Sequence, residues 1–182
     1  MEATDTLKHE HRVIERILAV LERAAKKVDA GEDVPPEIFE KSLDFIRNFA
    51  DRCHHAKEED ILYVAMQRKG MPRGSGPIAV MLMEHDEGRG YVKGMAGAIA
   101  GYRTDPEARK VLVSNALGYT QLLSQHIMKE DNILYMMADE MISASEQKQL
   151  AHQFEEAEEK VVGPGIHEKL LALADELEKA VP

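Results

Sequence analysis

Apolar residues recur at helical spacing almost from the first residue. Leu7, Val13, Ile14, Ile17, Leu18, Leu21 and Val28 lie on one face of a 3.6-residue repeat and predict a helix over 5–28. The stretch "DAGEDVPP" at 29–36 stops it with a Gly and a Pro pair. Ile38, Phe39, Leu43, Phe45, Ile46, Phe49, Ile61 and Leu62 carry a second helix from about Pro36 to Arg68. A "KGMPRGSGP" loop follows, then a third helix from about Pro77 to Tyr102. Gly88, Gly90, Gly94, Gly97 and Gly101 weaken its intrinsic propensity. Four of them tend to one side, so close approach of a neighbouring helix is expected. "TDPE" at 104–107 opens a fourth helix, with Thr104 as N-cap and Glu107 reaching back, that runs to about Met141. "SASE" at 143–146 caps a fifth segment to about Val161, and "GPG" at 163–165 precedes a last amphipathic helix over 166–180. No alternating, strand-like stretch competes. The predicted fold is all-α: an up-down-up-down four-helix bundle over 1–141, with C-terminal helices in 142–182 packed on it within one domain, or against a second subunit.

The polar residues that interrupt this pattern repeat. "HHAKEEDILY" at 54–63 returns as "HIMKEDNILY" at 126–135, an offset of 72 residues, and "EH" at 10–11 returns at 84–85, an offset of 74. Each half therefore reads as a helix with one His, a loop, and a helix with His-x-x-x-Glu. Residues i and i+4 share a helix face, so His54 and Glu58 point the same way, as do His126 and Glu130. Two such hairpins about an approximate two-fold axis bring His11, His54, His85 and His126 to one level with two carboxylates. Four imidazoles and two carboxylates form a nitrogen and oxygen set for two first-row metal ions. That set suits iron, and also zinc, copper or manganese. One such His in a helix is ordinarily a core or boundary residue; four in register with two buried acids need a cation to compensate them.

Composition narrows the function. The 182 residues suit one domain with a sizeable core. A net charge of −10 argues against nucleic acid or an anionic membrane as partner. Cys53 is the single cysteine, so no internal disulfide forms, and with no signal-like opening segment a reducing cytoplasm is the expected setting. The longest apolar run, "IAVMLM" at 78–83, is too short to span a bilayer.

The residues "EH" at 10–11, "HHAKEE" at 54–59, "EH" at 84–85 and "HIMKED" at 126–131 resemble the hemerythrin-like, or HHE cation-binding, proteins over about residues 5–140. The resemblance implies a four-helix bundle around a non-haem di-iron centre. It makes His11, His54, Glu58, His85, His126 and an acid at 130 or 131 the ligands. Hemerythrins place that acid five residues after the His, which is Asp131; the internal repeat maps Glu58 onto Glu130, and the helical face favours Glu130. Oxygen-carrying hemerythrins also offer a second His four residues after the third-helix His, and here that position is Arg89. That departure argues against reversible oxygen carriage. The implied function is binding of O2, NO or peroxide, or redox chemistry, at two iron ions, with manganese or zinc as alternative metals. An electron donor or protein partner is expected, in a monomer or homodimer, rather than a conventional enzyme. The alternative is an iron- or oxygen-sensing module that signals through the C-terminal helices. Because imidazole must be neutral to bind a metal, affinity is expected to fall toward pH 6.

The remaining chemistry-bearing residues are given plainer roles. His55, about 100° round from His54, is placed at the bundle's edge; His9, His152 and His167 are placed at the surface. Tyr119 and Cys53 are read as core residues. Arg89 is read as a salt-bridge residue, and Lys57 and Lys129 either as surface ion pairs or as charge compensation around the carboxylates.

Overall fold

The computed structural model describes residues 2–161, 163 and 166–181, with the side chains at 161, 166 and 167 outside the described set. Pro164 and Gly165 of the expected chain break, and the His167 side chain, therefore lie outside the described residues. Among those described, six helices and no strand are found. Helix α1 is Ala3–Asp29, α2 covers 36–68, α3 is Gly76–Ala98, α4 covers 106–141, α5 is Ala144–Val161 and α6 is Ile166–Ala180. The first four form the up-down-up-down bundle. The last two pack on α1 and α2.

The termini of these helices follow local chemistry. A Glu2/Asp5 capping box starts α1. Ser143 and Glu146 satisfy each other's backbone N–H groups at the start of α5, the role expected of "SASE". At the start of α4 the expected cap shifts by one residue. Asp105, not Thr104, accepts the Glu107 N–H at 2.9 Å, and Pro106 takes the first helical position, where its missing N–H costs nothing. The glycines of α3 are not one face. A Cβ at Gly94 would clash with the Asn115 side chain, so α4 does approach there, whereas Gly90 and Gly97 face open space. The approach is matched from the other side by Gly118, against which Tyr91 lies.

Two helices are not α-helical throughout. Helix α2 winds as a π-helix over Ile46–His55 and again over Glu58–Leu62, and α4 does so over Glu130–Leu134. These stretches flank or contain the His-x-x-x-Glu residues. A π turn adds a residue per turn and is found mostly at functional sites. Apolar side chains on either side of this level form two separate clusters. One holds Ile14, Ile17, Phe45, Phe49, Tyr119 and Ile127; the other holds Leu7, Leu62, Tyr63, Met81, Leu134 and Tyr135. Between them sits a buried polar layer.

Candidate metal centre

Each bundle helix delivers residues to that layer from one or two turns. Helix α1 supplies Glu10 and His11, α2 supplies His54, His55 and Glu58, α3 supplies Glu84 and His85, and α4 supplies His126 and Glu130, all buried. The imidazoles meet in pairs. His11 Nε2 lies 3.0 Å from His54 Nε2, and His85 Nε2 lies 3.0 Å from His126 Nε2. Two nitrogens about 2.1 Å from one cation and at right angles would be roughly 3 Å apart, so each pair has the spacing of neighbouring ligands on one ion.

The carboxylates tie the pairs together. Glu130 Oε2 is 3.3 Å from His11 Nε2 and 3.1 Å from His126 Nε2. Glu58 Oε2 is 3.7 Å from His54 Nε2 and 3.4 Å from His85 Nε2. Each acid thus reaches one imidazole of either pair. The second oxygen of each is held by a tyrosine from the opposite half. Tyr63 donates to Glu130 at 2.6 Å, and Tyr135 donates to Glu58. The two Oε2 atoms are buried and accept no well-formed hydrogen bond. Orphaned anionic oxygens of this kind cost several kcal/mol unless a cation meets them.

The outward ring nitrogens are all occupied. His54 Nδ1 donates to Glu10 at 2.9 Å and His126 Nδ1 to Glu84 at 2.9 Å. His11 Nδ1 donates to Asp131 at 2.7 Å, and His85 Nδ1 to Glu59 at 2.8 Å. With the proton fixed on Nδ1, every Nε2 lone pair faces the centre, and outer carboxylates of this kind hold metal-binding imidazoles in one tautomer. The four outer acids have their own cations: Lys57 on Glu10 at 2.5 Å, Lys129 on Glu84, Arg12 on Asp131, and Arg89 on Glu59 at 2.7 Å. That leaves the two inner carboxylates unbalanced except by what the imidazole pairs hold. Titration reflects this. Burial disfavours the charged form of His126 and His11, yet Glu130 carries His126 up to about 10, and Asp131 with Glu130 carries His11 to about 9. Burial opposes ionisation of Glu130 too, but His126 and His11 hold it well below the usual carboxylate range. The inner carboxylates thus favour positive charge at the facing imidazoles, the place a metal ion would take.

The donor atoms of the layer fall into two groups of four, different in make-up and each within 4.8 Å: His11, His54, Glu58 and Glu130; and His55, Glu58, His85 and His126. A third group, Glu10, Cys53 and Glu158, lies beside them. Two differences from expectation stand out. His55 is not at the edge. It is 5% exposed and stacks on His85 with ring centroids 3.9 Å apart, because the π winding of Ile46–His55 changes the side-chain phase and turns both histidines inward. Burial, then the neighbouring imidazoles, push its pKa well below the usual value, so it is neutral. Asp131 sits outside the two groups and orients His11. Lys57 is no surface residue either: it is buried between Glu10 and Glu158 of α5. Arg89 pairs with Asp51, Asp86 and Glu59. Cys53 is buried, its thiol pushed up to about 12, chiefly by burial. His9 and His152 are exposed. The roles of Glu10, Glu84, Glu59, Tyr63 and Tyr135 are absent from the sequence reading, although each lies inside the doubled motif and repeats with it.

The hemerythrin HHE cation-binding domain family model matches residues 2–138. Two relatives, each known only as an uncharacterized protein, come from Mycobacterium bovis and Mycobacterium tuberculosis. Each is 23% identical over 180 residues, which is 98% of this chain and 70% of the relative. No helix among the described residues is long and apolar enough to cross a membrane.

Proposed function

The chain belongs to the hemerythrin HHE cation-binding domain family, and from that premise we propose that it holds two iron ions in its buried layer. One is bound by His11 and His54, the other by His85 and His126, with Glu58 and Glu130 shared between them. His55 offers the second ion a further imidazole. The observation that carries this reading is the pair of facing Nε2 atoms, 3.0 Å apart in each half, beside two carboxylate oxygens that nothing else satisfies. The oxygen, nitrogen and sulfur-free donor set fits iron, and equally accommodates manganese or zinc.

Bound iron would supply redox capacity and open coordination for O2, NO or peroxide. The protein's own part is structural and electrostatic. Tyr63 and Tyr135 fix the shared carboxylates, the outer acids fix the imidazole tautomers, and the two apolar clusters keep bulk water from the layer. Metal analysis of the purified protein tests the reading: about two iron ions per chain are expected, with near-ultraviolet charge-transfer absorption that changes on dithionite reduction. His54→Ala combined with His126→Ala removes one imidazole from each pair and should abolish loading. Full iron content in that variant would overturn the assignment.

A sensing role has one specific support. Glu158 of α5 contacts Lys57 at 2.6 Å, and Lys57 in turn holds Glu10 beneath His54, so a C-terminal helix is joined to the site through two ion pairs. On that reading, Glu158→Gln changes how far metal loading protects α5 from hydrogen exchange. Identical protection in both proteins would leave the tail without a reporting role.

A further inference from the structure

The outer faces of the two helix pairs are dressed differently. Helices α5 and α6 lie on α1 and α2. Among the described residues, every large apolar side chain that stays exposed lies on the other pair: Val80 and Met83 on α3, and Val111, Met128, Ile133 and Met136 on α4. Single residues of this kind are ordinary, but a set confined to one helix pair marks an interaction face. The internal repeat identifies that face. Lys57, Ile61 and Val64 of α2 return on α4 as Lys129, Ile133 and Met136, and Thr6 and Glu10 of α1 return on α3 as Val80 and Glu84. In the first half this strip is a seat for a helix. Leu150 and Phe154 of α5 are buried in the apolar cluster on which Ile61 packs, and Glu158 of α5 contacts Lys57 at 2.6 Å. In the second half the same strip is bare. Ile133 is 54% exposed, and Lys129 pairs with Glu84 but, unlike Lys57, meets no second carboxylate among the described residues. The bare strip is also the more apolar of the two, since Val80 and Met83 stand where the covered half has Thr6 and His9.

We propose that this α3/α4 strip is a docking seat for an acidic amphipathic helix of a partner protein, held as α5 is held on α1 and α2. Helix α5 supplies the chemistry of the occupant. Leu150, Phe154 and Glu158 follow one another at steps of four, so two apolar side chains and a carboxylate share one face of that helix. On the equivalent seat the apolar pair covers Val80, Ile133 and Met136, and the carboxylate becomes the second acid on Lys129. A cation set in an apolar strip selects an acidic helix over a basic one. Methionines suit such a seat, because their flexible, polarisable side chains adapt to the surface they meet. The seat is one step from the buried layer: Lys129 holds Glu84, and Glu84 accepts from His126 Nδ1 at 2.9 Å, just as Lys57 and Glu10 connect α5 to His54. It requires the bundle alone and not an occupied metal layer.

A dye-labelled synthetic peptide of residues 143–161 is the probe, since it carries both the Ser143/Glu146 cap and the contact stripe. It is titrated into the full-length protein and followed by fluorescence anisotropy, with melting temperature and metal content measured on every sample. Saturable binding is expected, weakened about tenfold or more by Ile133→Glu, a change at an exposed residue that leaves the fold intact. Glu158→Gln in the peptide should weaken binding to the wild type and have no effect on binding to Lys129→Met, because the two groups form one contact. Absence of saturation, or equal binding to the Ile133→Glu protein, would overturn the seat; equal binding means that the peptide sits elsewhere, the place of the resident α5 included. Sedimentation of the protein alone tests the other occupant. A wild type that dimerises while Ile133→Glu stays monomeric would give this face to a second copy of the chain and overturn the partner helix.

Discussion

The two halves of the site share a ligand frame and differ in their surroundings. Around His11 and His54 the packing is closed: Ile14, one turn after His11, is buried in the apolar core, and Lys57 is locked between Glu10 and Glu158. Around His85 and His126 it is open: Gly88 makes room for a cavity of about 260 Å³, His55 replaces an isoleucine, and the lysine equivalent to Lys57 is partly solvated. The paired imidazoles, the shared carboxylates, the tyrosines on them and the Glu–Lys pairs behind His54 and His126 keep the repeat, whereas the flanking positions, Ile14 against Gly88 and Ile127 against His55, break it. An internal duplication can therefore keep two ion sites alike while giving them unequal access and unequal coupling to the rest of the chain.

The largest expected contrast tests the closed side. Lys57→Met leaves Glu10 buried without its cation, and removing one partner of a buried pair typically costs about 3–5 kcal/mol. Lys129→Met makes the same change where the lysine side chain is 31% exposed and water can reach the pair, so a smaller loss, about 1 kcal/mol, is expected. Urea unfolding of the two variants checks this, and similar losses would erase the distinction between the halves. Next come the tyrosines. Tyr63→Phe and Tyr135→Phe each remove a hydrogen bond to a buried carboxylate, worth roughly 1.5–3 kcal/mol, and the two losses should be close because the tyrosine–carboxylate bonds are equivalent, with the 3.3 Å contact of Tyr135 to His11 a weaker addition. Unequal losses in thermal unfolding would break the equivalence of the shared acids.

A smaller effect, read across pH, concerns the frame as a whole. His11 and His126 are raised in the folded protein, to about 9 and about 10. Their contribution to the metal-free fold is complete below the ordinary imidazole value, near 6.5, and is lost as pH rises through 9 and 10. Metal competes with those same protons, so metal affinity should climb over that window. The competition thus sets in at higher pH than unperturbed imidazole would give. Metal-free protein whose melting temperature is flat from pH 7 to 10 would contradict the paired-imidazole picture. Least affected of all should be His152→Ala, on the exposed face of α5, with neither metal content nor melting temperature altered.

Much of this was legible in the chain. The period of apolar residues marks all six helices, and the doubled motif marks the level at which they meet. The i+4 spacing also favoured Glu130 over Asp131 at that stage, and Glu130 does lie beside His126. Other features had a signal that was not followed. Glu10 and Glu84, and Tyr63 and Tyr135, repeat as faithfully as the four paired histidines, and Glu59 returns as the acid Asp131; a residue type kept in both halves of a duplicated site has a common geometric task. The Thr104 cap failed for a local reason, since Asp105 directly before Pro106 is better placed to accept from Glu107.

By itself, the sequence determined the helices, the two-fold frame and the inward imidazoles, because each follows from spacing along one helix. Tertiary structure decided which imidazoles pair, how His55 turns inward, where the cavity opens and what Glu158 touches. Those outcomes depend on the winding of α2 and on contacts between residues more than 40 positions apart, such as His54 with His11 and Lys57 with Glu158. A period read along one helix holds no information about the neighbour it will meet.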